Sequence, residues 1–293
     1  MTSVEIAIHA KAHLGECVLW CERSHSLFWT DVEARTLYRW DPRNGARQQW
    51  GVPQTLASFA LCEREHTVLL ALAKGIALLD LRSGAIGPIV PVEGDFPTTR
   101  INDGRCDGEG RFVFGTFNRV RGAQAIGAYY RVSPDFSIER LPLPQCTVAN
   151  GIAFSPNGRI VYFADSPTAE IRCAEYAADG TVGPWRTFVR FREGDGYPDG
   201  AAVDADGGVW SAHWDGGCVV RYAPDGTESH RIALPVTRPT CVALGGPEFN
   251  ELFITTATIG LKEEQLQAQP AAGAILRVPR ASRGFPERRF GTA

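Results

Sequence analysis

Val209-Trp210-Ser211-Ala212, followed a few residues on by Val219-Val220-Arg221-Tyr222-Ala223-Pro224-Asp225-Gly226, is the stretch on which the fold turns. Two short runs rich in β-branched and aromatic residues end in a Pro-Asp-Gly turn, the punctuation of antiparallel strands. The first run recurs as Leu27-Phe28-Trp29-Thr30, Val68-Leu69-Leu70-Ala71, Phe112-Val113-Phe114-Gly115, Ile160-Val161-Tyr162-Phe163 and Leu252-Phe253-Ile254-Thr255. Successive copies are 41 to 49 residues apart. A second run follows each, clearest at Leu37-Tyr38-Arg39-Trp40-Asp41-Pro42-Arg43-Asn44-Gly45 and weaker at 76–84, 129–135, 171–180 and 275–279. Only 261–269 hints at a helical period. Units of this size made of short strands match β-propeller blades of about four strands each. The lack of helices excludes leucine-rich and helical solenoids, and a β-sandwich would not explain six evenly spaced copies. The expectation is an all-β, six-bladed β-propeller, a single domain over 1–293, with residues 4–9 closing the ring beside the last unit and removing a free sheet edge.

Composition narrows the partners. The 293 residues are 44% hydrophobic and 22% charged, which is ordinary for a globular chain and excludes extended disorder. Lys+Arg 30 against Asp+Glu 33 leaves a net charge of −3, and no Lys/Arg-rich run offers a footprint for nucleic acid. No apolar run reaches the roughly 18 residues of a membrane span. The start lacks the basic and apolar regions of a signal peptide. Eight cysteines form no CxxC pair, so reduced thiols and a cytoplasmic location are expected.

Chemistry can be read from the repeat. The innermost strand of each blade lines the central channel, so residues at one offset share one height and differ by rotation. Counting back ten positions from three anchors gives Asn102, Asn150 and Asp199, and eleven from the first gives Glu16. Four residues further on stand Trp20, Cys106, Phe154 and Val203, all apolar, as strands packed between blades require. Ser58 and Thr240 take the corresponding places in the second and sixth units. The expected mouth is a ring of Glu, Ser, Asn, Asn, Asp and Thr. Two carboxylates and two amides converging on an axis suit a hard divalent cation such as calcium, magnesium or manganese. The blander reading is that these side chains cap strand ends through backbone hydrogen bonds. A cation in a wet mouth polarises a carbonyl and acidifies its water, which points to hydrolysis of an ester-like bond. Neither a GxSxG nucleophile elbow nor a GxxxxGK[ST] phosphate loop occurs.

The same residues carry a family resemblance. From about residue 15 to 278 the sequence resembles the regucalcin/gluconolactonase family of propeller lactonases. Gly15-Glu16-Cys17-Val18-Leu19-Trp20 resembles its GExPxW segment, and Arg100-Ile101-Asn102-Asp103-Gly104-Arg105 its RxNDGK/R segment. Asn150-Gly151-Ile152-Ala153-Phe154-Ser155 resembles NGxxxS, and Pro198-Asp199-Gly200 resembles PDG. The resemblance implies a carboxylic ester hydrolase opening a small-molecule sugar lactone to the aldonic acid, with L-arabinono-, D-xylono- and gluconolactone as candidates. It implies one divalent metal ion held by Glu16, Asn150 and Asp199: calcium first, with zinc, manganese, magnesium or iron(II) as alternatives. It also implies Asp199 as general base and Arg100 and Asn102 as substrate contacts. Segments 194–200 and 269–273, with Gly260-Leu261, resemble the bacterial sugar-lactonase branch. Two departures stand out. Cys17 and Val18 replace a small residue and a proline, which is expected to loosen the opening strand. After Gly115-Thr116, where animal members carry an acidic substrate contact, the chain has Phe117-Asn118-Arg119, making Asn118 the expected hydroxyl partner.

Other groups receive quieter roles: His213 as a structural histidine, Asp31 and Asp165 as inter-strand hydrogen-bonding groups, Cys146 as packing, and 277–289 as a solvated tail. Trp20, Trp210 and Trp214 are core residues that could also wall the pocket. A monomer or weak homodimer is expected, without nucleic acid or membrane. The alternatives are a promiscuous metal-dependent esterase or phosphotriesterase, and a non-catalytic ligand-binding propeller.

Overall fold

Along Gly15–Cys21, Cys17, Leu19 and Cys21 pack against one neighbouring sheet while Val18 and Trp20 pack against the other. Burial on both faces explains why these runs read as nearly continuous apolar stretches. The computed structural model describes residues 3–120, 122 and 124–291; the outermost residues of the expected 1–293 domain lie outside the described set.

Among the described residues the strands form six four-stranded antiparallel sheets. After β1 (Glu5–Ile8), blade 1 comprises β2 (Gly15–Cys21), β3 (Ser26–Asp31), β4 (Thr36–Trp40) and β5 (Arg47–Gly51). Blade 2 comprises β6 (Leu56–Leu61), β7 (Thr67–Leu72), β8 (Gly75–Asp80) and β9 (Val90–Pro91). Blade 3 comprises β10 (Thr99–Cys106), β11 (Phe112–Asn118), β12 (Tyr129–Val132) and β13 (Ile138–Arg140). Blade 4 comprises β14 (Ala149–Phe154), β15 (Ile160–Asp165), β16 (Glu170–Tyr176) and β17 (Val182–Arg190). Blade 5 comprises β18 (Tyr197–Val203), β19 (Val209–Trp214), β20 (Cys218–Tyr222) and β21 (Glu228–Ala233). Blade 6 comprises β22 (Pro239–Gly245), β23 (Glu251–Thr256) and β24 (Ile275–Val278), and β1 is its outer strand. The expected closure by residues 4–9 is therefore observed. A six-residue helix, Glu263–Ala268, lies where the helical hint stood.

The first strands touch in the order β2, β6, β10, β14, β18, β22 and back to β2, which closes the ring. The core follows this geometry: six apolar clusters, one at each interface between neighbouring blades. Burial of Trp20, Cys106, Phe154 and Val203, each at most 7% exposed, bears out the packing check made on the repeat.

All six first strands carry a β-bulge, after Glu16, Leu56, Ile101, Asn150, Pro198 and Pro239. Where two residues oppose one, the strand bends and its side chains are re-aimed.

The C-terminal end corrects the sequence reading. Arg277 belongs to β24, and the residues beyond it form a strap across the far face of the wheel. The backbone of the strap bonds to Phe249 and Asn250 of blade 6, Ala205 of blade 5, Gly110 of blade 3, and Leu61 and Glu63 of blade 2. Arg288 donates to the carbonyls of Ser155 and Pro156 in blade 4, and Arg289 reaches both oxygens of Glu22 in blade 1 at 3.0 Å. Arg289 and Phe290 are buried. A run of arginines reads as solvated because its partners come from distant segments.

Candidate metal and substrate site at the channel mouth

The bulges decide which side chains reach the near mouth. Glu16 and Asn150 end the regular ladder opposite Thr30 and Ala164, whereas Asn102 and Asp199 begin the bulges after Ile101 and Pro198. The single offset read from the sequence thus covers two adjoining structural positions. Ser58 and Thr240 depart further from the expected ring. Both are fully buried, and their hydroxyls donate to the Gly104 and Gly15 carbonyls, knitting blades together.

A chain of hydrogen bonds joins the rest. Arg100 Nη1 donates to Asn102 Oδ1 at 2.8 Å, Asn102 Nδ2 to Asn150 Oδ1 at 2.9 Å, and Asn150 Nδ2 to Ser166 Oγ at 2.9 Å. Ser166 Oγ in turn donates to the Pro198 carbonyl at 2.7 Å, so blades 3, 4 and 5 are tied directly beside Asp199. The Arg100 guanidinium lies over the Phe117 ring, 4.8 Å from its centroid. Gly151 is required at its place: its φ is +63°, and a Cβ would stand 3.2 Å from the Asp199 carbonyl oxygen. Cys17 adopts the corresponding left-handed conformation in blade 1, with φ +45°, a strain of about 1–3 kcal/mol for a residue with a side chain. The opening strand is nonetheless complete. Cys17 Sγ sits 3.4 Å from Ser58 Oγ and accepts from the Phe59 amide, so the expected loosening is not seen.

Electrostatics sets this cluster apart. Burial, then the charge of Asp103, pushes the Glu16 carboxyl up to about 8. Asp199 is raised well above the ordinary range by burial, then by Glu16 and Asp103. Asp103, raised by burial, is held by the Gly104 and Ile152 amides at 2.7 and 2.8 Å. Arg100 offsets part of the repulsion, and burial lowers its own guanidinium to about 10. Sequence reading missed Asp103. The available signal was two consecutive polar residues, Asn102-Asp103, inside a strand, which breaks alternation and marks a bulge.

Buried carboxylates that repel one another invite a cation. Among the described residues no three side chains from His, Cys, Asp and Glu gather as a metal group, so the donors on offer are two carboxylates with amide oxygen. An all-oxygen set of this kind fits a hard divalent ion and disfavours a thiolate-bound one.

Other expectations resolve as follows. Asn118 is buried, and its amide is engaged within its own loop: Nδ2 donates to the Gln124 carbonyl at 2.9 Å and Oδ1 accepts from the Val120 amide at 3.3 Å. His213 is structural: Nδ1 meets the Asp195 carbonyl, Nε2 meets the Tyr222 hydroxyl, Phe191 stacks on the ring, and burial lowers it to about 4. Asp31 and Asp165 accept backbone amides from His13, Leu14, Thr147 and Val148, leading into the first strands. Cys146 is buried in the blade 3–4 cluster. Trp20 stacks on Phe253, and Trp210 Nε1 donates to Ser282 of the strap, so both belong to the far end; only Trp214 stays partly exposed. All eight cysteines are free and buried. No helix is long and apolar enough to cross a membrane among the described residues.

Comparison with known proteins finds relatives over nearly the whole chain. The chain is 43% identical to an L-arabinolactonase from Azospirillum brasilense over 280 residues, 94% of this chain and 92% of that protein. It is 35% identical to a 6-deoxy-6-sulfogluconolactonase from Pseudomonas putida over 278 residues, 93% of each. The crystal structure of a calcium-binding protein, regucalcin, from Agrobacterium tumefaciens superposes with a TM-score of 0.94 at 26% identity, covering 99% of this chain and 98% of that one. The family model described as the SMP-30/Gluconolactonase/LRE-like region matches residues 14–258, and the chain belongs to that family.

Proposed function

We propose that this protein is a carboxylic ester hydrolase that opens a sugar aldonolactone to its aldonic acid, using one divalent cation held by Glu16, Asn150 and Asp199. The observation that carries the reading is the gathering of two repelling carboxylates, Glu16 and Asp199, beside a chain of amides and one guanidinium where the first strands converge. The lactonase names of the two relatives favour a sugar lactone over an aryl ester or phosphotriester. Calcium leads among the ions, given the calcium-binding neighbour. A bound cation would supply Lewis acidity toward the lactone carbonyl and lower the pKa of water.

The remaining work falls to the chain. Asp199 takes a proton from the attacking water as its oxygen bonds to the lactone carbonyl carbon. When the ring C–O bond breaks, Asp199 returns that proton to the departing alkoxide, giving the hydroxy acid. Burial and the neighbouring carboxylates raise the proton affinity of Asp199 in the metal-free fold; a bound cation would lower it again, keeping the carboxylate ionised to act on water acidified by the same ion. Arg100 presents a planar fork of donors to sugar hydroxyls, with Phe117 fixing its plane. Asn102 orients the Asn150 amide with one Nδ2 hydrogen and holds the Ala149 carbonyl with the other, leaving the second lone pair of Oδ1, beside the Arg100 contact, to accept from a substrate hydroxyl. Asn118 acts by holding the loop beyond β11 rather than by touching substrate.

A panel of 1,4- and 1,5-aldonolactones, assayed with and without chelator, tests the proposal. Chelator-sensitive opening of a pentono- or hexonolactone is expected. No turnover across the panel, or a preference for aryl esters over every lactone, would refute it.

A further inference from the structure

Arg105 lies deeper in the channel than the mouth residues, two positions beyond Asp103 on β10. Its Nη2 crosses to the Ala201 carbonyl of blade 5 at 3.1 Å, and its Nη1 meets Glu287 Oε2 of the strap at 2.7 Å. Their side chains are 11% and 18% exposed, and Arg105 Nε is buried without a partner. Between strap and strands lies a cavity of ≈ 40 Å³, lined among others by Arg105, Cys106, Phe154 and Glu287. That is space for about one water, so solvent screens this charge less than it would one on the open surface. The guanidinium spans from β10, two residues past Asp103, to the Ala201 carbonyl of β18, two residues past Asp199, so its charge lies just below the mouth. A positive charge here opposes any cation at the mouth unless something cancels it. Glu287, delivered from the C-terminal strap, is the carboxylate paired with it.

We propose that the strap is an electrostatic component of the cation site: Glu287 neutralises Arg105 and thereby sets the affinity of the mouth for a divalent ion. This rests on the metal reading given above. Glu287 is a positioning residue in this scheme, acting through Arg105 from the opposite face of the wheel.

Calorimetric titration of the metal-stripped full-length protein with calcium, manganese and zinc chlorides tests it. Glu287→Gln keeps the side-chain shape and should weaken binding about tenfold, the scale of one uncancelled charge acting on a nearby site. Adding Arg105→Met to that variant should restore affinity to near wild type, and Arg105→Met alone should raise it. A strap that serves only stability would lower Tm in Glu287→Gln while leaving cation affinity unchanged, and that result overturns the inference. Should Glu287→Gln fail to fold, an unchanged affinity in Arg105→Met overturns it equally. A wild-type protein that binds none of the three ions removes the metal reading and this inference together. Binding by the wild type with indifferent variants removes the inference alone.

Discussion

At the near mouth, buried Asp199 and half-buried Glu16 repel one another, their charges only partly offset by Arg100. At the far mouth, Arg105 is paired with Glu287 and Arg289 with Glu22, while Arg288 donates to two carbonyls. The same six strands supply both ends, so the contrast is not one of architecture. One end leaves like charges facing each other at a cost in stability; the other closes its charges with a segment from the chain terminus. Unbalanced burial of this kind is tolerated where a ligand completes the balance, and balanced burial is what a purely structural surface requires.

The strongest way to break this comparison is at Asp199. Asp199→Asn should reduce kcat on the best lactone by about 10³-fold, within the range of lost general acid–base catalysis. The same variant should show a higher metal-free Tm, because the repulsion with Glu16 is relieved. A drop in Tm would mean that the near mouth is structural after all. Chelation should abolish turnover of the wild type. Returning calcium at about a hundred times its Kd should then stabilise the fold by about 2.7 kcal/mol, read as a rise in Tm. At the far mouth, Phe290→Ala should cost about 3 kcal/mol in urea unfolding, since the ring is buried against Phe136, with kcat of the folded enzyme nearly unchanged.

Titration sharpens the contrast. The Glu16 carboxyl is held at about 8 in the fold against an ordinary 4.5, so the native state binds the extra proton. Its contribution to stability is fully present below pH 4.5 and is lost as pH rises through 8. The metal-free Tm should therefore fall between about pH 5 and pH 8, and saturating calcium should flatten that slope. The smallest effect is expected at Asn118. Asn118→Ala should change KM less than about threefold, because its polar atoms serve its own loop.

Much of this was legible in the sequence. The six anchors marked the blades because every second strand is buried along nearly its whole length and must be apolar at the same place. The closing strand was legible because an unpaired edge has to be covered. Glu16, Asn102, Asn150 and Asp199 stood out because polar residues in such strands are exceptional. The bulges did not show, since which two residues oppose one depends on the partner strand, and with them went Asp103 and the true places of Ser58 and Thr240. The strap was misread for a related reason: Glu22, Ser155, Cys62 and Arg105 lie more than a hundred residues from the arginines and the glutamate they receive.

The pairing of β1 with β24, Glu5 opposite Arg277, has a consequence for how the molecule is made. A nascent chain carries β1 without its partner until β24 has been synthesised. During translation the early blades can stack, yet the wheel stays an open arc whose ends are two bare ladders. Closure therefore waits for β24, and joining strands so far apart in sequence is a late, slow, long-range step.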